Sequence, residues 1–284
     1  MSELNRRSLL AGAIAAGGAV VLATTASGAT ARPTSRPATD EAAPGRSRNT
    51  LGKILYIGPD DKERGREWFG ITYRQDDQIT LRAYNEIDDT RVERDVVQTM
   101  RKDYSPLDCF VRLHVGGKFL GTGWIRITDT EAECEVFSTL MGRVHQRVPL
   151  TERVRGIVSH PVSSDALLLT AFDHSKPERL QSVPGGLSTS PLADGGSGPF
   201  LNVPTGRMRE FEYIGPERVT TRAGTFDTHH YSFGPRVPAG GSARAYEVWC
   251  THPDYIFVRG EVRNYLSKTK DGYGRYELVE LKRE

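Results

Sequence analysis

Between residues 68 and 150 apolar and polar side chains alternate with a period of two, and no other feature constrains this chain more. The runs ITLRAYNEI, TRVERDVVQTM, LDCFVRLHV, KFLGTGWIRIT, AECEVFSTL and RVHQRVPL are rich in β-branched and aromatic residues, the composition of half-buried strands. QDDQ, IDDT, DYSP, VGGK, TDTE and LMGR separate them. Connections this short join antiparallel neighbours, because a parallel crossover needs about a dozen residues or more. Long strands in a simple meander predict an all-β, mainly antiparallel fold: a single curved sheet closed partly or fully into a half-barrel or barrel, which limits exposed edges.

Helical pattern is confined to SSDALLLTAF (163–172), with Ser163 or Ser164 as N-cap and Asp165 in the first turn. Leu167, Leu168, Leu169 and Phe172 are too apolar for an exposed helix, so it is expected to be buried against the sheet. Residues 175–206 are dense in Gly, Pro and Ser and predict a long loop that divides the chain into two β-rich halves. The second half restarts with REFEYI, TFDTHHYSF, ARAYEVWC, YIFVRGEVR and RYELVEL, turning at IGPE, TRAG, PAGGS and THPD. These strands have little core of their own, so they extend the same sheet. One domain over 51–284 with about ten to twelve strands is expected.

The N-terminus carries Arg6 and Arg7, an uncharged run from Leu9 to Ala29 and a small-residue Ala29-Thr30-Ala31 site. That order predicts a cleaved export signal over 1–31 of the twin-arginine type. Such a signal engages the twin-arginine translocase, which carries folded proteins. Residues 32–50 read as a disordered linker. The mature protein is expected to be periplasmic or secreted, with no membrane anchor. With 38 basic and 36 acidic residues the net charge is +2, and no basic block occurs, so a nucleic-acid partner is not expected. Cys109, Cys134 and Cys250 lie within apolar strand patterns and read as core residues.

Gly215-Pro216-Glu217, Ala223-Gly224-Thr225-Phe226-Asp227 and Trp249 before Pro253-Asp254-Tyr255 resemble the recurring pattern of a large family of exported bacterial domains of unknown function. The resemblance covers the second half only. It implies a curved antiparallel half-barrel akin to periplasmic lipoprotein carriers, which cup hydrophobic ligands. One departure is Phe257, where that family tends to have Pro. The resemblance implies a scaffold, and no general reaction comes with it.

Alternation on a strand puts Asp227, His229 and Tyr231 on one face and His230 on the other. A metal held by Asp227 and His229 would need ligands from a neighbouring strand, and spacing supplies only Glu247, so neither a metal nor a cofactor is expected. His160 and His252 each precede a proline, which holds them extended; with Asp165 and Asp254 nearby they are the candidate catalytic residues, as general bases. The meander offers a third set. LMGR suits a three-residue hairpin placing Glu135 opposite Arg147 and Phe137 opposite His145. VGGK suits a two-residue turn placing Cys109 opposite Trp124 and His114 opposite Phe119. A one-residue slip would reverse the facing. The candidate ligand-binding residues are Phe110, Arg112, His114, Trp124, Phe137, His145, His229, Tyr231 and Trp249. No G-x-S-x-G, H-E-x-x-H or Walker loop occurs. Glycines 117, 121 and 123 sit on a hairpin rather than a strand-to-helix turn, so they form no dinucleotide fingerprint. The leading expectation is an exported barrel whose cavity binds a hydrophobic or aromatic small molecule. The alternatives are a cofactor-independent lyase or isomerase using a cavity histidine, and an envelope-associated scaffold.

Overall fold

The period-two runs become strands because each is closed by local turn chemistry. Gly116 and Gly117 both take positive φ, 62° and 73°, in the two-residue turn between Val115 and Lys118, which suits the right-handed twist of the flanking strands. The computed structural model describes residues 47–158, 161–183, 186–192, 194–201, 209–237, 245–263 and 274–284. The first eight strands are β1 (Arg48–Ile57), β2 (Glu63–Tyr73), β3 (Gln78–Ile87), β4 (Val92–Arg101), β5 (Pro106–Val115), β6 (Lys118–Ile127), β7 (Glu131–Ser138) and β8 (Gly142–Pro149). A crossover follows with β9 (Ile157–Val158), helix α1 (Ser163–Leu168) and a 3-10 turn over Leu169–Ala171. The chain continues through β10 (Leu180–Val183), β11 (Leu187–Ser188), β12 (Arg209–Thr221), β13 (Gly224–Phe233), β14 (Ala245–Thr251), β15 (Phe257–Arg263) and β16 (Gly274–Arg283).

Fourteen of these strands form one antiparallel sheet, ordered β10-β12-β13-β14-β15-β16-β1-β2-β3-β4-β5-β6-β7-β8. The chain starts in mid-sheet, meanders to the β8 edge and crosses over. It then returns from the β10 edge until β16 pairs with β1, from Thr50 opposite Arg283 to Ile57 opposite Arg275. β12 also contacts β15 and β16, three and four strands along, so the sheet curls. β8 and β10 do not meet, and the barrel stays open. Strand β8 guards its edge with charge: Arg147 pairs with Glu131, His145 lies 3.2 Å from Glu133 and Arg143 3.4 Å from Glu135. Charged edges oppose further strand pairing.

Several expectations change. The strands number sixteen among the described residues rather than ten to twelve, because β1, β2 and the short crossover strands lie outside the period-two runs. β1 begins at Arg48, inside the stretch expected to be linker. IGPE is not a turn; it lies within β12, where a bulge between Tyr213 and Gly215 absorbs it. The 175–206 stretch contributes β10 to the sheet edge, with Gln181 and Val183 buried, and β11 to a parallel pair with β9. PAGGS lies outside the described residues.

One face of the sheet carries the core. Ile54, Phe69, Ile71, Leu81, Phe211, Val248 and Leu278 pack with Leu167, Leu168, Leu169 and Phe172 from the helical segment. A second cluster joins Cys109, Val111, Ile125, Cys134 and Val136 to Val154, Ile157, Leu187 and Leu201 of the crossover. At Gly123 an added Cβ would stand 2.9 Å from Val136 Cγ2 and 3.1 Å from Pro199 Cγ; the hairpin glycine thus admits the crossover to the sheet surface. All three cysteines are buried and unpaired, and burial pushes the Cys109 thiol up to about 12 and Cys134 to about 11.

Six residues are too few for a stable isolated helix, so α1 depends on its setting. Leu167, Leu168, Leu169 and Phe172 of the helical segment contribute roughly 1.5–3 kcal/mol each by burial. Its N-terminus is not capped by Ser163 or Ser164. Glu67, fully buried on β2, accepts from Val162 N at 2.6 Å and Ser163 N at 3.0 Å, while the Tyr56 hydroxyl donates to it at 2.6 Å. The cap comes from the sheet because both serines are themselves buried beneath it. Arg94, also fully buried, ties down the crossover at Gly195 O, 2.6 Å away, and at Thr189 Oγ1, 2.8 Å away. Between them lies Asn85, opposite Glu67 on one side and Arg94 on the other.

Glu67→Leu is expected to lower unfolding stability by about 3 kcal/mol or more, since three buried donors lose their acceptor. Tyr56→Phe, which removes a single donor, should cost only about 1 kcal/mol. Urea denaturation of both variants checks the ranking, and equal losses would count against the carboxylate as the cap. Arg94→Met should release residues 189–195 first, seen as faster limited proteolysis within that stretch before global unfolding.

Candidate functional site

β13 and β14 pair with His229 opposite Cys250 and His230 opposite Trp249, so the two adjacent histidines serve opposite faces. On the core side His229 meets His252 from the turn after β14 and His174 from just beyond the 3-10 turn. Their candidate ligand atoms all lie within 4.8 Å of one another. The His229 and His252 rings stack at 4.5 Å with 14° between planes, and His174 meets them edge-on at 5.3 and 5.9 Å. Tyr231 Oη lies 2.7 Å from His174 Nε2, and Phe172 and Tyr213 close around the same ring. Burial lowers the pKa of His229 and of His174, with neighbouring imidazoles adding to the effect. Nδ1 of His229 is buried without a hydrogen-bond partner among the described residues. Asp227 does not join this group; it is exposed, 4.0 Å from Arg218.

His230 occupies the other face in a charged nest. Its Nε2 lies 2.8 Å from Glu247 and its Nδ1 3.3 Å from Glu217, while Trp249 stacks on it at 3.9 Å. Arg263 donates to Glu247 at 2.7 Å and Trp249 Nε1 to Glu217 at 2.7 Å. The hydrogen bond from His230, then its charge and that of Arg263, hold the Glu247 carboxyl below its usual range. Glu247 therefore serves His230 and not the Asp227–His229 side. Trp249 is committed to this nest, with Arg259 5.2 Å from its ring.

Of the candidate catalytic pairs, only His252 and Asp254 lie wholly within the described residues, and they turn to different partners. His160 lies outside the described residues. Asp165 faces Tyr246, whose hydroxyl donates to it at 2.8 Å, and burial pushes its carboxyl up to about 7. Asp254 accepts from Thr251 Oγ1 and, at 2.8 Å, from Arg283, while His252 turns to the imidazole cluster. A carboxyl whose pKa rises on folding binds its proton more tightly in the native state. Its contribution to stability is present at low pH and is lost as pH rises from about 4 toward 7. Asp165→Asn, which keeps an acceptor for Tyr246, should therefore raise the melting temperature at pH 8 more than at pH 4. Thermal scans at the two pH values check this; an equal shift at both would place the ionisation elsewhere.

The ligand-binding candidates of the meander emerge on the face away from the core. A bulge between Leu113 and His114 moves the register, so Phe110, not Cys109, faces Trp124, although His114 still faces Phe119. In the next hairpin Glu135 faces His145 and Phe137 faces Arg143, two residues from the expected pairing, because strand pairing starts at Ser138 and Gly142. Phe110, Trp124 and Phe137 are 38%, 42% and 55% exposed, too much for core residues. With Thr122, Glu135, Val136 and Arg143 they line a groove of about 310 Å³. Arg112 and His114 sit apart, both against Phe119 at 5.2 and 5.6 Å, and His145 pairs with Glu133.

The buried polar residues that sequence reasoning missed share a signal. Glu67, Asn85 and Arg94 each fall in the apolar phase of their strand, with Phe69 and Ile71, Leu81 and Ala83, and Val92 and Val96. A polar side chain in that phase marks an inward-facing group. His174 carries no such mark, since it lies in an irregular turn.

No protein-family model matches the chain, and no curated protein matches it. Among solved structures it is similar to a β-barrel-like protein of a domain of unknown function, DUF1849, from Brucella abortus, with a TM-score of 0.47 and 8% identity over 83% of this chain and 97% of the other. It is also similar to a candidate lipoprotein from Parabacteroides distasonis ATCC 8503, at TM-score 0.31 and 12% identity over 82% and 95%. A candidate exported protein with a YmcC-like fold from Bacteroides fragilis NCTC 9343 follows, at 0.28 and 10% over 83% and 95%.

Proposed function

We propose that this protein is an exported open β-barrel that binds a small aromatic molecule in the groove of Phe110, Trp124 and Phe137. The observation that carries the reading is the convergence of three half-exposed aromatic rings on adjacent strands around about 310 Å³ of space. That volume lies at the low end of the roughly 300–1,000 Å³ of small-ligand sites. The core-bearing face is covered by α1 and the crossover, which favours the other face for a ligand. Exposed apolar surface of this kind marks a place of binding. Arg143 and Glu135, 3.4 Å apart at the rim, form an exposed pair worth little in water, so a ligand carboxylate can take the guanidinium at small cost. The favoured ligand is thus a flat ring system bearing one acidic group. Export rests on Arg6-Arg7, the uncharged run and the Ala-Thr-Ala site.

Titration with naphthalene-2-carboxylate, followed by tryptophan fluorescence, tests the reading. Saturable quenching is expected, and Phe137→Ala should weaken it about 2- to 10-fold, the range for loss of one aromatic pair. Arg143→Gln should weaken the carboxylate but not the uncharged naphthalene-2-carboxamide. Quenching that never saturates, or that ignores Phe137→Ala, would sink the proposal.

A further inference from the structure

Three imidazoles from separate segments converge at one end of the core-side face, beyond the groove and independent of it. His229 is anchored on β13, His252 follows β14, and His174 follows the 3-10 turn that the buried helix positions. Aromatic packing alone accounts for ring contacts. It does not account for Nδ1 of His229, a buried polar atom with no hydrogen-bond partner among the described residues, a bond that costs about 1–3 kcal/mol when left unmade.

We propose that His174, His229 and His252 bind one divalent transition-metal ion of the zinc class, with a fourth position open. A set of nitrogen donors without carboxylates suits Zn²⁺ and its neighbours rather than the oxygen-seeking Ca²⁺ or Mg²⁺. Zinc–nitrogen bonds of about 2.0–2.1 Å put tetrahedral ligand atoms about 3.4 Å apart, so the present 4.8 Å limit closes by about 1.4 Å at most. His174 and His252 are exposed and lie outside the sheet strands, whereas His229 is held on its strand, so the first two supply that movement. Ligation also requires the stacked His229 and His252 planes to tilt apart, since a metal lies in the plane of each ring it binds. Tyr231, 2.7 Å from His174 Nε2, is placed to orient that ring, as outer-sphere partners of metal-bound histidines do. Three protein ligands with an open position is the arrangement of metal sites that hold a water or an exchangeable ligand.

The test is calorimetric titration of the purified, chelator-treated protein with ZnCl₂ at neutral pH, alongside its His174→Asn, His229→Asn and Asp227→Asn variants. One Zn²⁺ per chain is expected for the parent. His174→Asn, at an exposed position that leaves the fold intact, should weaken binding at least about tenfold. His229→Asn should abolish it, and Asp227→Asn, outside the cluster, should leave it unchanged. In the Co²⁺-loaded protein the visible absorption of a four-coordinate site should disappear with His174→Asn. No zinc uptake by the parent, or uptake indifferent to His174→Asn, would reduce the cluster to an aromatic patch and overturn the proposal.

Discussion

The Glu67 carboxylate is the contact on which the arrangement of this molecule turns. It has no exposed surface, yet it accepts from the N-terminus of α1 and from Tyr56. A buried carboxylate is tolerated only when donors surround it, and here the donors are the orphan N–H groups of a helix start, which have no intrahelical acceptors. The interaction therefore satisfies two costs at once and sets where the helix meets the sheet. Burial still raises the pKa of Glu67. From α1 the chain runs through the 3-10 turn to Phe172 and His174, so the tether also determines where the third histidine of the cluster stands.

The open sheet gives the two faces different tasks. One is covered along its length by the crossover, with Arg94 holding the later part as Glu67 holds the earlier. The other keeps charged ladders, the His230 nest and the aromatic groove. In a strand each residue is committed to one face by its position, so the adjacent pair His229 and His230 takes part in two unrelated environments without conflict.

Much of the scaffold was legible. The antiparallel meander, the two-residue turn at Gly116-Gly117, the buried leucine-rich helix and the buried cysteines all follow from local pattern. The opposed faces of His229 and His230 followed from alternation. The pairings around Trp124 and Phe137 did not, because one bulge or a different hairpin start shifts every partner along a strand. IGPE read as a turn because Gly and Pro punctuate chains, yet pairing with β13 resumes after it, so a bulge absorbs it within β12. The helix cap was assigned to its own serines because sequence exposes only local capping partners; Glu67 is 95 residues from Val162.

Sequence by itself determined the elements: which stretches are strands, which residues face alike, and that one short apolar helix must be buried. These are local properties, governed by the period of two and by turn residues. Tertiary structure alone decided that the sheet stays open, that the aromatic residues emerge outside, and that His174 joins His229 and His252. Those outcomes depend on register, on how the crossover seats on the sheet and on partners far apart in the chain, and no spacing along one strand encodes them.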